Sequence, residues 1–212
     1  MGVSIVLVGS GGVGKSALVL RFIKAEFHDH YNPTIDASFT KLVQIRPDMT
    51  VNVEIHDTAG QEAFSSVRAR YYPEADGFVL CYSIADDETF AALKGLHEEI
   101  LDMNSNPNVP VCIVGTKVDL ADTDRVVSVE EGRAFAESVN AFDFYETSAK
   151  LDKGVADIFV AMAKTIEKGG NKEGSLQSGG AVFGSGTSQS RSLPDSAPVF
   201  KDPKPAGCCV VS

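Results

Sequence analysis

Eight residues near the amino terminus have the types and spacing to hold phosphate: Gly9-Ser10-Gly11-Gly12-Val13-Gly14-Lys15-Ser16. They fit G-x-x-x-x-G-K-[ST]. The apolar run Val3–Val8 before them reads as a buried strand, and the stretch from Ala17 to Ile23 reads as a helix opening. Strand, glycine loop and helix is the context in which that spacing does chemistry. Glycines let backbone N–H groups approach phosphate oxygens without a Cβ in the way. The helix N-terminus adds partial positive charge at the same point. Lys15 can reach β- and γ-phosphates, and Ser16 can offer its hydroxyl to Mg²⁺.

Three more clusters follow apolar runs. Asp57-Thr58-Ala59-Gly60-Gln61-Glu62 begins with an acid at a strand end, which can hold Mg²⁺ directly or through water. Gly60 can bring a backbone N–H to a terminal phosphate. The Gln61 amide can accept from an attacking water and donate to a phosphoryl oxygen. In Thr116-Lys117-Val118-Asp119 the carboxylate can accept from both N1–H and N2–H₂ of guanine. Adenine has no such paired donors and would leave Asp119 unmatched. Ser148-Ala149-Lys150 can close over the base.

The elements that must position these residues alternate. Ser38–Ile45 and Val51–His56 alternate apolar with polar, as half-buried strands do, and Arg46-Pro47-Asp48-Met49 joins them as a hairpin. Gly77–Tyr82 and Val109–Val114 are continuous apolar runs, as buried parallel strands are. Between them Phe90, Leu93, Ile100 and Leu101 fall on one helical face. A last strand spans Phe142–Glu146, and a last helix carries Val155, Ile158, Phe159, Met162 and Ile166. The expected fold is α/β: a mostly parallel six-stranded sheet with one antiparallel edge strand and helices on both faces. Ligands on such sheets bind at the carboxyl ends of the strands.

The 212 residues, 43% hydrophobic, suffice for one substantial core. With 19 Lys and Arg against 29 Asp and Glu, the net charge of −10 argues against nucleic acid as a partner. Cys81 and Cys112 read as reduced core thiols. No run is long enough to span a bilayer, and the first apolar run leads into the glycine loop, unlike a secretory signal. Composition shifts at Gly169. Residues 1–168 are expected to form the folded domain and 169–212 a disordered linker, with four basic against three acidic residues. Its end, Cys209-Val210-Val211-Ser212, fits C-a-a-X, and the Ser favours farnesyl on Cys209. One lipid anchors only marginally and the linker's charge adds little, so Cys208 is the expected palmitoylation site.

Across roughly residues 3–168, with the last four added, these motifs and their order resemble the Ras superfamily of small GTPases. The resemblance implies a P-loop G domain that binds GTP or GDP with Mg²⁺ and hydrolyses GTP. Gly11, Gly12, Val13, Gly14, Lys15, Ser16 and Ala17 would then hold phosphates, with Thr116, Lys117, Asp119, Ser148, Ala149 and Lys150 around the base. Phe27 resembles the aromatic that packs on guanine. Tyr31-Asn32-Pro33-Thr34-Ile35-Asp36, continuing through Ala37, Ser38 and Phe39, resembles the first, effector-binding switch. Thr34 there binds Mg²⁺ and the γ-phosphate. Asp57 to roughly Tyr72 resembles the second switch. Gly11 resembles the position that leaves room for a partner's arginine finger. Lys15, Gly60 and Gln61 carry hydrolysis, and Ser16, Thr34 and Asp57 the metal, Asp57 through water. The implied partners are an exchange factor, a GTPase-activating protein, a GTP-dependent effector and, through the lipid anchor, the cytoplasmic face of the plasma membrane.

Within that superfamily the Pro-Thr-Ile stretch and the C-terminal box resemble the Ras branch. Three features depart. Thr116, a Rho-like choice, offers one hydroxyl where most of the family has an Asn amide near purine N7. Asp36-Ala37 replaces Glu-Asp and removes an acid from the effector surface. Ser38-Phe39-Thr40-Lys41 is similar to the Rheb branch. No arginine finger is evident in the chain; Arg68 and Arg70 read as solvated helix residues. Two other readings of the glycine loop stand beside this one: an ATPase or nucleoside kinase, and a nucleotide-bound scaffold that does not hydrolyse.

Overall fold

A computed structural model describes residues 2–29, 34, 36–60 and 69–174, with no account of side chains from 170 on. In chain order the elements are β1 (Gly2–Val8), α1 (Lys15–Lys24), β2 (Asp36–Arg46), β3 (Met49–Thr58), β4 (Gly77–Ser83), α2 (Asp87–Ala91), α3 (Leu93–Met103), β5 (Val111–Thr116), α4 (Val129–Ser138), β6 (Asp143–Glu146) and α5 (Val155–Gly174). The six strands form one sheet in the order β2-β3-β1-β4-β5-β6. β1 pairs in parallel with β3 and β4, β4 with β5 and β5 with β6. Among the strands of the described residues β2 alone runs antiparallel, against β3, across a two-residue turn and a bulge near Gln44. The expected fold class is the observed one.

Period-two alternation divides the core. Ile5 and Leu7 of β1, Val79 and Cys81 of β4, and Cys112 and Val114 of β5 face one side, under α1 and α5. Val6, Val8, Phe78, Leu80, Val111 and Ile113 face the other, with Leu93 and Ile100 of α3 and Ala136 of α4. Strands clothed on both faces need apolar residues at every position, which is why their runs are unbroken. As far as Ile55 the β2–β3 hairpin buries one face only, with Val43, Ile45, Val51, Val53 and Ile55 turned inward; from His56 to Thr58 β3 is buried on both faces. Its alternating sequence records that. In α5, Val155, Ile158, Phe159 and Met162 are buried, and Phe159 stacks on Phe22 of α1 at 4.3 Å between ring centres.

Some expectations shift. Leu101 is 44% exposed; Leu96 packs on the core instead. Eight residues beyond Leu93, Leu101 has rotated about 80° off that face at 100° per residue. β5 starts at Val111 because Pro110 has no N–H to give to a ladder, though its carbonyl accepts from Phe78. Helix α5 continues past the composition change at Gly169 to Gly174. Arg70 lies in a turn rather than a helix. Cys81 and Cys112 are buried free thiols, as expected, and burial pushes the Cys81 thiol up to about 12. The linker residues from 175 on, with Cys208 and Cys209, lie outside the described residues.

Tyr82 carries a buried hydroxyl with no hydrogen-bond partner, while its ring packs on Phe90 at 4.9 Å. Removing an unpaired buried hydroxyl deletes its desolvation penalty and no bond. We expect Tyr82→Phe to leave unfolding free energy unchanged or raised. A urea titration showing a loss of ~1 kcal/mol or more would mean that the hydroxyl is bonded.

Candidate functional site

Because the five parallel strands point the same way, the chain leaves β1, β3, β4, β5 and β6 on one edge of the domain. The glycine loop leaves β1 and enters α1 at Lys15. Gly14 sits at the helix N-cap with φ 106°, a backbone shape that favours glycine, and no side chain caps this end. The first-turn N–H groups of α1 are therefore presented at the loop, where an anion is favoured. Lys15 is buried, and its ammonium donates to the carbonyls of Gly9 at 2.8 Å and Ser10 at 2.9 Å. Those two bonds fix a positive charge under the loop.

β3 brings in the acid. Asp57 is 2% exposed, and its Oδ1 has no hydrogen-bond partner. Burial pushes its carboxyl above the ordinary range, against the pull of the Ser16 hydroxyl, the Lys15 ammonium and the Thr34 hydroxyl. The Ser16 and Thr34 hydroxyls lie 2.7 Å apart. Among the described residues no three His, Cys, Asp or Glu side chains gather as a metal site. A cation at this point would meet oxygen only: two hydroxyls and one buried carboxylate with an unused lone pair. That donor set is hard, fits Mg²⁺, and lacks the nitrogen or sulfur that zinc prefers. Just beyond β3, Gly60 touches the glycine loop. A Cβ there would run into the Ser10 carbonyl and the Gly11 amide. Two loops from different strands thus share one backbone-to-backbone contact.

The other end of the site comes from β5 and β6. Lys117 is left-handed at φ 63° and opens a short 3₁₀ turn, Val118–Leu120, carrying Asp119. The Val118 amide donates to Thr147, joining the two loops. Ser148, fully buried, donates its hydroxyl to Asp119 Oδ1 at 2.6 Å and accepts from the Leu151 amide at 3.1 Å. The Asp119 carboxylate is aimed by that bond. Arg21 of α1 donates to the Ala149 carbonyl at 2.7 Å.

These loops enclose one cavity of about 430 Å³. Gly11, Gly12, Val13, Gly14, Lys15, Ser16 and Ala17 line it with Thr34 and Gly60, and Phe27, Thr116, Lys117, Asp119, Ala149 and Lys150 complete the wall. Ser148 stands behind Asp119. Asp57 stands beside Ser16 and Thr34. Tyr31, Asn32, Pro33, Ile35, Gln61 and Arg68 lie outside the described residues. Asp36, Ala37, Ser38 and Phe39 open β2, away from the cavity wall. Leu18, Leu20, His28, Asp29 and Thr58 also line the cavity and were not singled out from sequence. Adjacency to Phe27 and Asp57 was the available signal for three of them. Thr58 uses its hydroxyl as a strut to the Leu7 carbonyl at 2.6 Å.

The model of the family described as Ras matches residues 4–168. A curated relative, "Ras-like protein 1" of Saccharomyces cerevisiae, is 40% identical over 172 residues, 81% of this chain and 55% of that protein. The chain belongs to the Ras family. It spans about half the length of the yeast relative it matches. As a Ras-family chain it has the G-domain fold described above, with a carboxyl-edge cavity built from its phosphate loop.

The contact at Gly60 can be tested directly. Overpacking costs about 1–3 kcal/mol. We expect Gly60→Ala to displace the Ser10–Gly11 segment and weaken GDP binding by roughly 5- to 150-fold. Unchanged affinity in a fluorescent-nucleotide titration would show that the two loops separate freely.

Proposed function

We propose that this chain is a GTP-dependent switch that binds GTP or GDP with Mg²⁺, hydrolyses GTP to GDP and phosphate, and relays a signal from the cytoplasmic face of the plasma membrane. The observation that carries this reading is a single cavity with a phosphate loop at one end and the Ser148-held Asp119 carboxylate at the other. The Asp119 carboxylate accepts from N1–H and N2–H₂ of guanine, Phe27 packs on the ring, and Lys117, Ala149 and Lys150 close around it. The loop N–H groups and Lys15 hold the phosphates. Ser16 and Thr34 would hold Mg²⁺ directly and Asp57 through water; when bound, the ion offsets charge on the β- and γ-phosphate oxygens.

Hydrolysis needs positioning and charge stabilisation more than covalent chemistry. Gln61 orients a water against the γ-phosphorus. A P–O bond forms, the bond to the β–γ bridging oxygen breaks, and GDP leaves with that electron pair while the water's protons pass to phosphate and solvent. Lys15 and the Gly60 N–H oppose the charge that develops. Loss of the γ-phosphate frees Thr34 and Gly60, and with them both switch segments. In support, the segments following them are joined at Asp36, whose carboxylate accepts from Tyr71 at 2.6 Å and pairs with Arg70 at 3.5 Å. The surface from Tyr31 to Phe39 would engage an effector; an exchange factor reloads the site, and a GTPase-activating protein supplies its arginine past Gly11.

GTP-over-ATP competition separates this reading from an ATPase or nucleoside kinase. Asp119→Asn replaces paired acceptors with one acceptor and one donor, which suits the C2 carbonyl of xanthine. We expect preference to move from guanine to xanthine nucleotides by at least about tenfold; a variant that kept its preference for GTP would remove Asp119 from base reading. A second expectation concerns the tail. Farnesyl on Cys209 alone gives reversible contact, and a palmitoyl chain on Cys208 slows escape. Cys209→Ser should leave the protein cytosolic. Cys208→Ser should keep farnesyl yet shift the protein to cytosol and internal membranes. Fractionation with lipid labelling reads both, and stable plasma-membrane retention of Cys208→Ser would defeat the two-lipid argument.

A further inference from the structure

Lys41 stands on β2, the edge strand, two residues past Phe39. A lysine on a sheet edge ordinarily keeps its ammonium in water and bars another strand from pairing. This one is half-buried and turned inward. Its ammonium donates to the Phe22 carbonyl of α1 and stands 4.3 Å from the centre of the Phe22 ring. The last carbonyls of a helix have no amide of their own helix to accept from. At the end of α1 the Arg21 carbonyl accepts from the Ala25 amide, where the chain turns left-handed at φ 58°. The Phe22 carbonyl is met instead by Lys41, a full positive charge where the helix dipole is negative. Arg21 pins the same turn from within, donating to the Ala25 carbonyl at 2.8 Å.

Two residues beyond Ala25 comes Phe27, which lines the cavity. No regular element separates it from the turn that Lys41 and Arg21 hold. We propose that Lys41 is a positioning residue that holds the end of α1 from β2 and so sets where the Phe27 ring stands against the base. It touches neither nucleotide nor metal. It acts through two contacts with one residue: a charge-assisted bond to the Phe22 carbonyl and a cation over its ring. The Phe22 ring is itself held by its stack on Phe159 of α5, so the end of α1 is gripped on both sides.

The inference rests on the guanine-nucleotide reading of the cavity, and one experiment separates the two. Release of GDP, with Mg²⁺ present, is timed from full-length wild type, Lys41→Met, Lys41→Arg, Phe27→Leu and the Lys41→Met, Phe27→Leu double variant. A wild type that does not retain GDP ends the cavity reading. If GDP is retained, we expect Lys41→Met, which keeps the apolar stem and loses the donor, to release it about five- to tenfold faster. Lys41→Arg, a cation that both donates and stacks, should stay within about twofold of wild type. On the Phe27→Leu background Lys41→Met should add less than about twofold, because the ring it positions is gone. Lys41→Gln takes the place of Lys41→Met in the series should the latter not fold. The proposal is overturned if the uncharged variant keeps GDP as wild type does, or if Lys41→Arg fails to restore retention. It is also overturned if the acceleration is the same with and without the Phe27 ring, as a generally loosened fold would give.

Discussion

One carboxylate is buried with only 2% of its residue's surface exposed. Asp57 sits at the end of a central strand with an unpaired oxygen, and burial disfavours its charged form. Isolated, such a group would be a liability. Here two hydroxyls and the Lys15 ammonium surround it, each from a segment that also serves phosphate. Much of the site follows from this constraint. The acid must come from a strand adjacent to β1, so β3 pairs with β1 in parallel and both deliver their ends to the same edge. The loop after it must lie against the phosphate loop, so residue 60 has no side chain.

The motif residues were legible because each depends on local chemistry. A glycine loop before a helix, an acid at a strand end and a carboxylate after a buried run announce themselves by spacing; the glycine loop and Asp119 line one cavity, and Asp57 stands beside Ser16 and Thr34. The three central strands were legible as continuous apolar runs, since helices cover both their faces; the hairpin was legible as an alternation, since as far as Ile55 only one of its faces is covered. What sequence could not show was long-range pairing. Nothing local to Ser148 says that it holds Asp119. Nothing near Arg21 points to Ala149, and nothing near Thr116 says that its hydroxyl lies within hydrogen-bond distance of the carbonyls of both Val13 and Tyr82.

Periodicity also fails where a helix is short or broken. Residues 87–103 form two helices rather than one, and within the second Leu101 stands a residue past the buried Ile100, rotated off the face that Leu93 and Ile100 share. At the carboxyl end, composition and backbone follow different rules: α5 runs through a glycine pair that marks a compositional boundary, because a helix already anchored by Phe159 and Met162 can carry weak formers at its end.

Helix α1 joins the two ends of the cavity. Its first residue, Lys15, belongs to the phosphate loop, and Arg21, six residues along, grips the carbonyl of Ala149 on the opposite wall. Six residues of helix rise about 9 Å. A rigid rod of that length therefore serves as a caliper between the two ends of the cavity. The gap it sets belongs to the protein and not to whatever enters, so a ligand must match a spacing that is fixed before it arrives.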